Sequence, residues 1–324
     1  MTTAALSPDP LTAGPFGRID RLATEFDRLV PPGTEPEVLF DAGPGPQWLE
    51  GPAWDRLYDR LLFSNTKANT ILCWQPGGDV SVAIEPSGWD GPMPAPMEEP
   101  GANGLAFDGE GRLLLCEHGN RRVTRLQPDG SREVLASHWQ GRRLNSPNDV
   151  VCRRNGEIWF TDPPYGLPGR FDDPERLPVN GVYRVMPGGS LERVIDSIGV
   201  PNGLGFSPEE DVFYVTDGGP DHARWLAFPM TAAGQPAEPR VLFDAAPFGG
   251  LGGPDGLTVD AAGHIFATAR ERVFVLDVDG RQLGAIHTGA ITTNATWGED
   301  GASLFVTTEH RLLRIRLATR GACW

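Results

Sequence analysis

The chain repeats one short phrase six times, and this repetition limits the folds open to it more than any other feature. Each copy sets an oxygen-bearing side chain just before a short apolar run. The copies are Leu49-Glu50-Gly51-Pro52-Ala53-Trp54, Ala102-Asn103-Gly104-Leu105-Ala106-Phe107, Pro147-Asn148-Asp149-Val150-Val151, Pro201-Asn202-Gly203-Leu204-Gly205-Phe206, Pro254-Asp255-Gly256-Leu257-Thr258-Val259 and Thr293-Asn294-Ala295-Thr296-Trp297. Successive key positions lie 53, 45, 54, 53 and 39 residues apart, which is the period of propeller blades with loops of varied length.

Within each unit the pattern is one of short strands. Residues 103–136 hold four runs of four to six residues separated by turn signals at 109–111, 119–120 and 128–130, the signature of an antiparallel meander. The same pattern recurs at 148–196, 202–243 and 255–287, and less completely at 50–84 and 294–317. The expected fold is therefore an all-β, six-bladed β-propeller with four-stranded antiparallel blades, spanning residues 36–324. The 41 glycines and 31 prolines suit its many turns.

The sixth unit lacks a fourth strand. Pro36-Glu37-Val38-Leu39-Phe40-Asp41-Ala42 closely matches Pro239-Arg240-Val241-Leu242-Phe243-Asp244-Ala245, the outer strand of the fourth unit. Closing the ring with this N-terminal strand removes an open edge and ties first blade to last. Residues 1–35 form an extension. Within it Ile19, Leu22, Ala23, Phe26 and Leu29 recur at mostly three- and four-residue spacing, which predicts one amphipathic helix over 18–30, ended by Pro31-Pro32-Gly33.

Composition narrows the partners. With 28 basic and 43 acidic residues the net charge is −15, which disfavours nucleic acid and anionic membranes. Cysteines 73, 116, 152 and 323 show no CxxC spacing and read as reduced thiols. No apolar run reaches the ~18 residues of a membrane span, and the N-terminus lacks the basic-then-apolar pattern of a signal peptide. A cytoplasmic protein with a small-molecule substrate is the expectation.

In a meander of this kind the starts of the inner strands, the links between second and third strands, and the links between blades share one face. That face should carry the six key positions together with Asn65, His118, Asp162 to Tyr165, Asp217 to His222, Arg270 and Glu309. Two long insertions, 85–101 and 166–180, fall there as well, where a pocket is expected. Glu50, Asn148, Asn202 and Asp255 bring two carboxylates and two amide oxygens to the axis. An all-oxygen set suits a hard divalent cation, calcium above all, and lacks the thiolate or imidazole that favours zinc. Asn or Asp before Gly is also ordinary turn chemistry; the register of several such sites, with Glu50 in the same slot, favours metal. Asn103 and Asn294 fill the remaining slots, as groups that orient substrate or water or as backbone caps. Asp149 is either a support to the ligands or a turn acid. Tyr165 is a candidate substrate contact, and His118 a candidate acid or base or a plain loop histidine. There is no GxSxG elbow and no phosphate-binding glycine loop.

At Glu50-Gly51-Pro52, Ser146-Pro147-Asn148-Asp149, Pro201-Asn202-Gly203-Leu204 and Pro254-Asp255-Gly256, the chain resembles the senescence marker protein/gluconolactonase family. The stretches 116–123 and 159–166 look like its bacterial gluconolactonase-type members. This resemblance, running from about Glu50 to Leu317, implies a six-bladed propeller that hydrolyses sugar lactones with a divalent metal. It implies metal ligation by Glu50, Asn202 and Asp255, with Asn148 at or near the ion and Asp255 as the acid-base residue. A related metal-dependent esterase or phosphotriesterase, and a non-enzymatic ligand-binding propeller, remain alternatives at this level.

Overall fold

The structure is a computed structural model describing residues 10–92, 97–219 and 222–322. Six antiparallel blade sheets follow one another along the chain, each built outward from its inner strand; Ile19–Arg21 and Glu37–Asp41, earlier in sequence, are added at the outer edges of the fifth and sixth. The inner strands are Leu49–Asp55, Ala102–Phe107, Val150–Cys152, Pro201–Phe206, Leu257–Val259 and Thr292–Gly298. The sequence expectation of a six-bladed propeller is met.

Alternation along the strands explains why the blades stack. In the fourth blade Phe213 and Val215 face the third blade while Tyr214 faces the fifth; on the neighbouring strand Leu226 and Phe228 face one way, Trp225 and Ala227 the other. Successive side chains of a strand point to opposite faces, so a blade packed on both sides needs apolar residues at both parities. The core is accordingly six separate clusters, one in each seam between neighbouring blades. Within the seam between blades three and four, Trp159 meets Phe206 edge-on with ring centroids 5.3 Å apart, an arrangement favoured by the ring quadrupoles.

The ring closes as the repeat implied. Glu37–Asp41 pairs with Arg311–Arg316 as the outer strand of the sixth blade, Glu37 opposite Arg314 and Asp41 opposite Arg311. Both registers place opposite charges together, with Arg314 Nη2 2.7 Å from Glu37 and Arg311 Nε 2.8 Å from Asp41.

The helix expected over 18–30 does not form. Ile19–Arg21 is instead a fifth strand on the fifth blade, with Ile19 opposite Ile286, and only Phe26–Leu29 makes a single helical turn. The outer strand Gln282–His287 offers unpaired backbone groups, and the N–H groups of Leu22 and Ala23 continue that pairing by donating to Leu283 O. A sheet edge supplies partners at once, whereas a short helix must first nucleate unaided. The apolar spacing still serves burial, because Phe26, Leu29 and Val30 pack into the seam between blades five and six. Leu22, part of the same periodicity, stays exposed.

Cys73, Cys116 and Cys152 are free, the first two buried; Cys323 lies outside the described residues. Among the described residues no helix is long and apolar enough to cross a membrane.

Candidate active site

The six key residues sit where the inner strands begin, and local backbone chemistry aims them at the axis. Pairing between first and second strands shifts register between Glu50 and Ala53, Ala102 and Leu105, Pro201 and Leu204, and Thr292 and Asn294. Each bulge turns a side chain out of the alternating pattern. In the third and fifth blades Asn148 and Asp255 simply precede the strand.

After Glu50, Asn103, Asn202 and Asp255 the next residue must be glycine. A Cβ on Gly51 would lie 2.2 Å from Asn103 O, on Gly104 2.6 Å from Asn148 O, on Gly203 2.3 Å from Asp255 O, and on Gly256 2.1 Å from Asn294 Oδ1. The glycines thus let the inner strands of blades one, two, four and five touch the key residue of the next blade. Hydroxyls at the ends of the second strands stitch the same contacts. Ser64 donates to Asn103 O at 2.7 Å, Thr216 to Asp255 O at 2.6 Å and Thr268 to Thr293 O at 2.8 Å. This Ser/Thr position recurs at 64, 161, 216, 268 and 307. It was visible as a repeat in the sequence but carries no signal of function by itself.

These contacts bring together Glu50, Asn103, Asn148, Tyr165, Asn202 and Asp255, all of which line one cavity of about 430 Å³. The remaining wall includes residues that sequence reasoning did not single out: Trp48, Lys67, Glu98, Glu99, Arg170 and Ile291. Arg170, from one long insertion, holds Glu98 at 2.8 Å and Glu99 at 3.1 Å, from the other. The two insertions are therefore clasped over the mouth.

Two candidates lie off the wall. Asn294 is one layer down, its Nδ2 donating to Glu50 Oε2 and to Asp149 Oδ2, each at 3.4 Å, and it lines a second cavity of about 270 Å³ toward the opposite face. His118 is fully buried behind Glu99, with Nδ1 3.7 Å from Glu99 Oε2 and neither ring nitrogen hydrogen-bonded. Burial and the Arg170 charge bring its pKa down to about 3, so its ring is neutral. Asp162 is structural, accepting from Asn145 N at 2.8 Å and bracing the loop that carries Asn148.

The electrostatics of the cavity follow from three carboxylates in one buried place. Glu50 is 2% exposed; burial and the neighbouring Asp149 push its pKa up to about 8. Burial and Glu50 raise Asp255 well above the carboxylate range, and burial lifts Asp149 to about 6. No basic side chain forms a salt bridge with any of the three among the described residues. Buried charge of one sign without a counter-ion is costly, and a hard cation would relieve it. The donors fit such an ion: Glu50, Asn148, Asn202 and Asp255 offer only oxygen, and Asn103 Oδ1 is buried with no hydrogen-bond partner. Among the described residues no group of three or more His, Cys, Asp or Glu side chains has metal-site geometry; the set here draws half its donors from amides.

A six-bladed propeller whose inner-strand ends present carboxylates and amides to one axial cavity defines a class of oxygen-lined propeller sites. The chain belongs to the SMP-30/Gluconolactonase/LRE-like family, whose model matches residues 48–310. It is 32% identical to a gluconolactonase of Zymomonas mobilis over 98% of this chain and 91% of the relative. It is 28% identical to a pentonolactonase of Haloferax volcanii, covering 80% of each. Among solved structures a gluconolactonase of Xanthomonas campestris superposes with a TM-score of 0.79 at 32% identity, over 94% of this chain and 98% of that one.

Proposed function

We propose that this protein hydrolyses a sugar lactone of the gluconolactone type to its aldonic acid, in the axial cavity and with a divalent cation, calcium first. The observation that carries the reading is the convergence of Glu50, Asn103, Asn148, Tyr165, Asn202 and Asp255 on one cavity in which Glu50 and Asp255, among the described residues, have no salt-bridge partner. The gluconolactonase and pentonolactonase relatives support the substrate class.

Glu50, Asn148, Asn202 and Asp255 would hold the ion. A bound divalent ion supplies Lewis acidity toward a carbonyl oxygen and makes water a better nucleophile, worth several kcal/mol of barrier. Asp255 orients the attacking water and accepts its proton; the carbonyl carbon gains the hydroxyl, the ring C–O bond breaks, and the proton ends on the leaving ring oxygen. Asn103 orients the sugar through its unpaired Oδ1. The Tyr165 hydroxyl, its pKa pushed up by burial and by Asp255, stays protonated and donates to a substrate oxygen. His118, neutral and outside the cavity lining, is given no part in proton transfer in this reading. The free thiols suit a cytoplasmic setting.

The test is elemental analysis of the purified protein combined with a pH-indicator assay on glucono-δ-lactone, repeated after chelation and calcium return. Bound divalent metal, turnover, its loss on chelation and its recovery are expected. A metal-free protein that hydrolyses at full rate would remove the cation from the mechanism, and one inert toward every lactone would end the reading.

A further inference from the structure

A side chamber, smaller than the reaction cavity and distinct from the cavity beneath Asn294, adjoins the reaction cavity at the junction of the fourth and fifth blades. Its volume is about 290 Å³, and Gly218, Gly253 and Pro254 line both spaces. Beyond this threshold its functional groups are Arg270 and His222, and no carboxylate lines it among the described residues. The reaction cavity is walled by Glu50, Glu98, Glu99 and Asp255 with Lys67 and Arg170, whereas Arg270 is the charged side chain among the described residues that line the side chamber.

Arg270 differs from the other arginines of this face. Arg170 is spent on Glu98 and Glu99, and Arg224 on Asp217 at 3.2 Å. The guanidinium of Arg272 donates at 2.8 Å to Pro10 O and to Gly249 O. Among the described residues Arg270 forms no salt bridge, and its buried Nε has no hydrogen-bond partner. A buried, unsatisfied donor carries a penalty of about 1–3 kcal/mol. It also sits at the tip of a two-residue hairpin in which both Arg270 and Glu271 hold left-handed backbone, with φ of 52° and 60°. Its backbone is thus held in a tight turn between Ile265–Ala269 and Arg272–Leu276. Glu271, the nearest acid in sequence, accepts instead from Leu251 N.

We propose that this chamber receives an anionic group of the substrate, a carboxylate or phosphate remote from the reacting carbonyl, with Arg270 as its specificity-determining residue and His222 as its partner. Among lactones of the gluconolactone type, those that carry such an anion are then preferred over the neutral one. Arg270 offers a planar donor fork suited to either oxyanion, and Gly218, whose Cβ position lies 3.1 Å from Pro254 O and 3.7 Å from the Tyr165 hydroxyl, keeps the passage open. This deepens the lactonase reading and depends on it.

The experiment compares kcat/KM for glucono-δ-lactone, glucaro-1,4-lactone and 6-phosphogluconolactone in the wild-type protein, Arg270→Ala and Arg270→Lys, with folding checked by thermal melting. The wild type should favour one acidic lactone over the neutral one by at least about tenfold, the scale of one charge-assisted contact. Arg270→Ala should lower that ratio about tenfold, and Arg270→Lys by less. Which acid is preferred tells carboxylate from phosphate. Calorimetry with gluconate, glucarate and 6-phosphogluconate gives a readout free of turnover, in which the acidic preference should again need Arg270. A neutral preference in the wild type, or a ratio unmoved in Arg270→Ala, overturns the proposal while leaving the lactonase intact. Arg270-dependent anion binding without hydrolysis of any lactone would instead overturn the lactonase reading and keep the chamber.

Discussion

Gly203 stands where a side chain would meet its neighbour across the blade boundary: a Cβ there would lie 2.3 Å from the carbonyl oxygen of Asp255 and 2.5 Å from Gly256 Cα. The position of Asp255 is therefore set by what is missing from the preceding blade. Thr216 completes the setting by donating to the same oxygen at 2.6 Å.

Gly203→Ala should cost about 1–3 kcal/mol of stability, the usual range for overpacking, and displace Asp255. Denaturant unfolding should show a lower midpoint, and calcium binding by calorimetry should weaken. Unchanged calcium affinity in a destabilised variant would show that Asp255 is not held by this contact.

Asp255→Asn keeps the shape of the side chain and removes its basicity. If Asp255 accepts the water proton, kcat should fall by about 10² to 10⁴, with the melting temperature of the metal-free protein kept or raised because a carboxyl whose charge is disfavoured by burial and by Glu50 becomes a neutral amide. Full turnover with metal still bound would rule out this role.

The carboxylate cluster makes a signed prediction about pH. Glu50 with a pKa near 8, Asp149 near 6 and Asp255 well above its ordinary value bind more protons folded than unfolded. The stability they contribute without metal is complete below the ordinary carboxylate range. It is lost as pH rises toward about 8. Calcium bound at the proposed site would compete with those protons, so its affinity should rise across the same window and saturating calcium should flatten the stability profile. Unfolding measured at about pH 5 and pH 8, with and without calcium, checks both; metal-free protein equally stable at the two values would refute the clustering.

Phe26 is fully buried in the seam between blades five and six, although its segment precedes every blade. Phe26→Ala should cost about 3–5 kcal/mol, read as a lower denaturant midpoint with an unchanged slope. An effect below about 1 kcal/mol would mean that this segment rests on the propeller without supporting it.

Blade number, closing strand and the face bearing the site were all legible in the sequence. A strand buried on two faces leaves a short apolar run, and each oxygen-bearing residue before such a run marks where an inner strand begins. The same logic failed for residues 18–30. Ile19, Leu22, Phe26 and Leu29 carry helical spacing, yet the free edge at Gln282–His287 captured the backbone first. Periodicity reports which residues need burial; it does not report which distant edge will accept them.

The sequence by itself determined six oxygen donors in register, because each repeat unit folds from local alternation and turn chemistry. Only the tertiary structure decided their depth. It put Asn294 beneath the cavity as a bridge between Glu50 and Asp149, moved His118 behind Glu99, and left Arg270 unpaired in a side chamber. Depth, and with it charge state, depends on contacts between blades whose key residues lie as far apart in the chain as Glu50 and Asn294, and no local pattern encodes that distance.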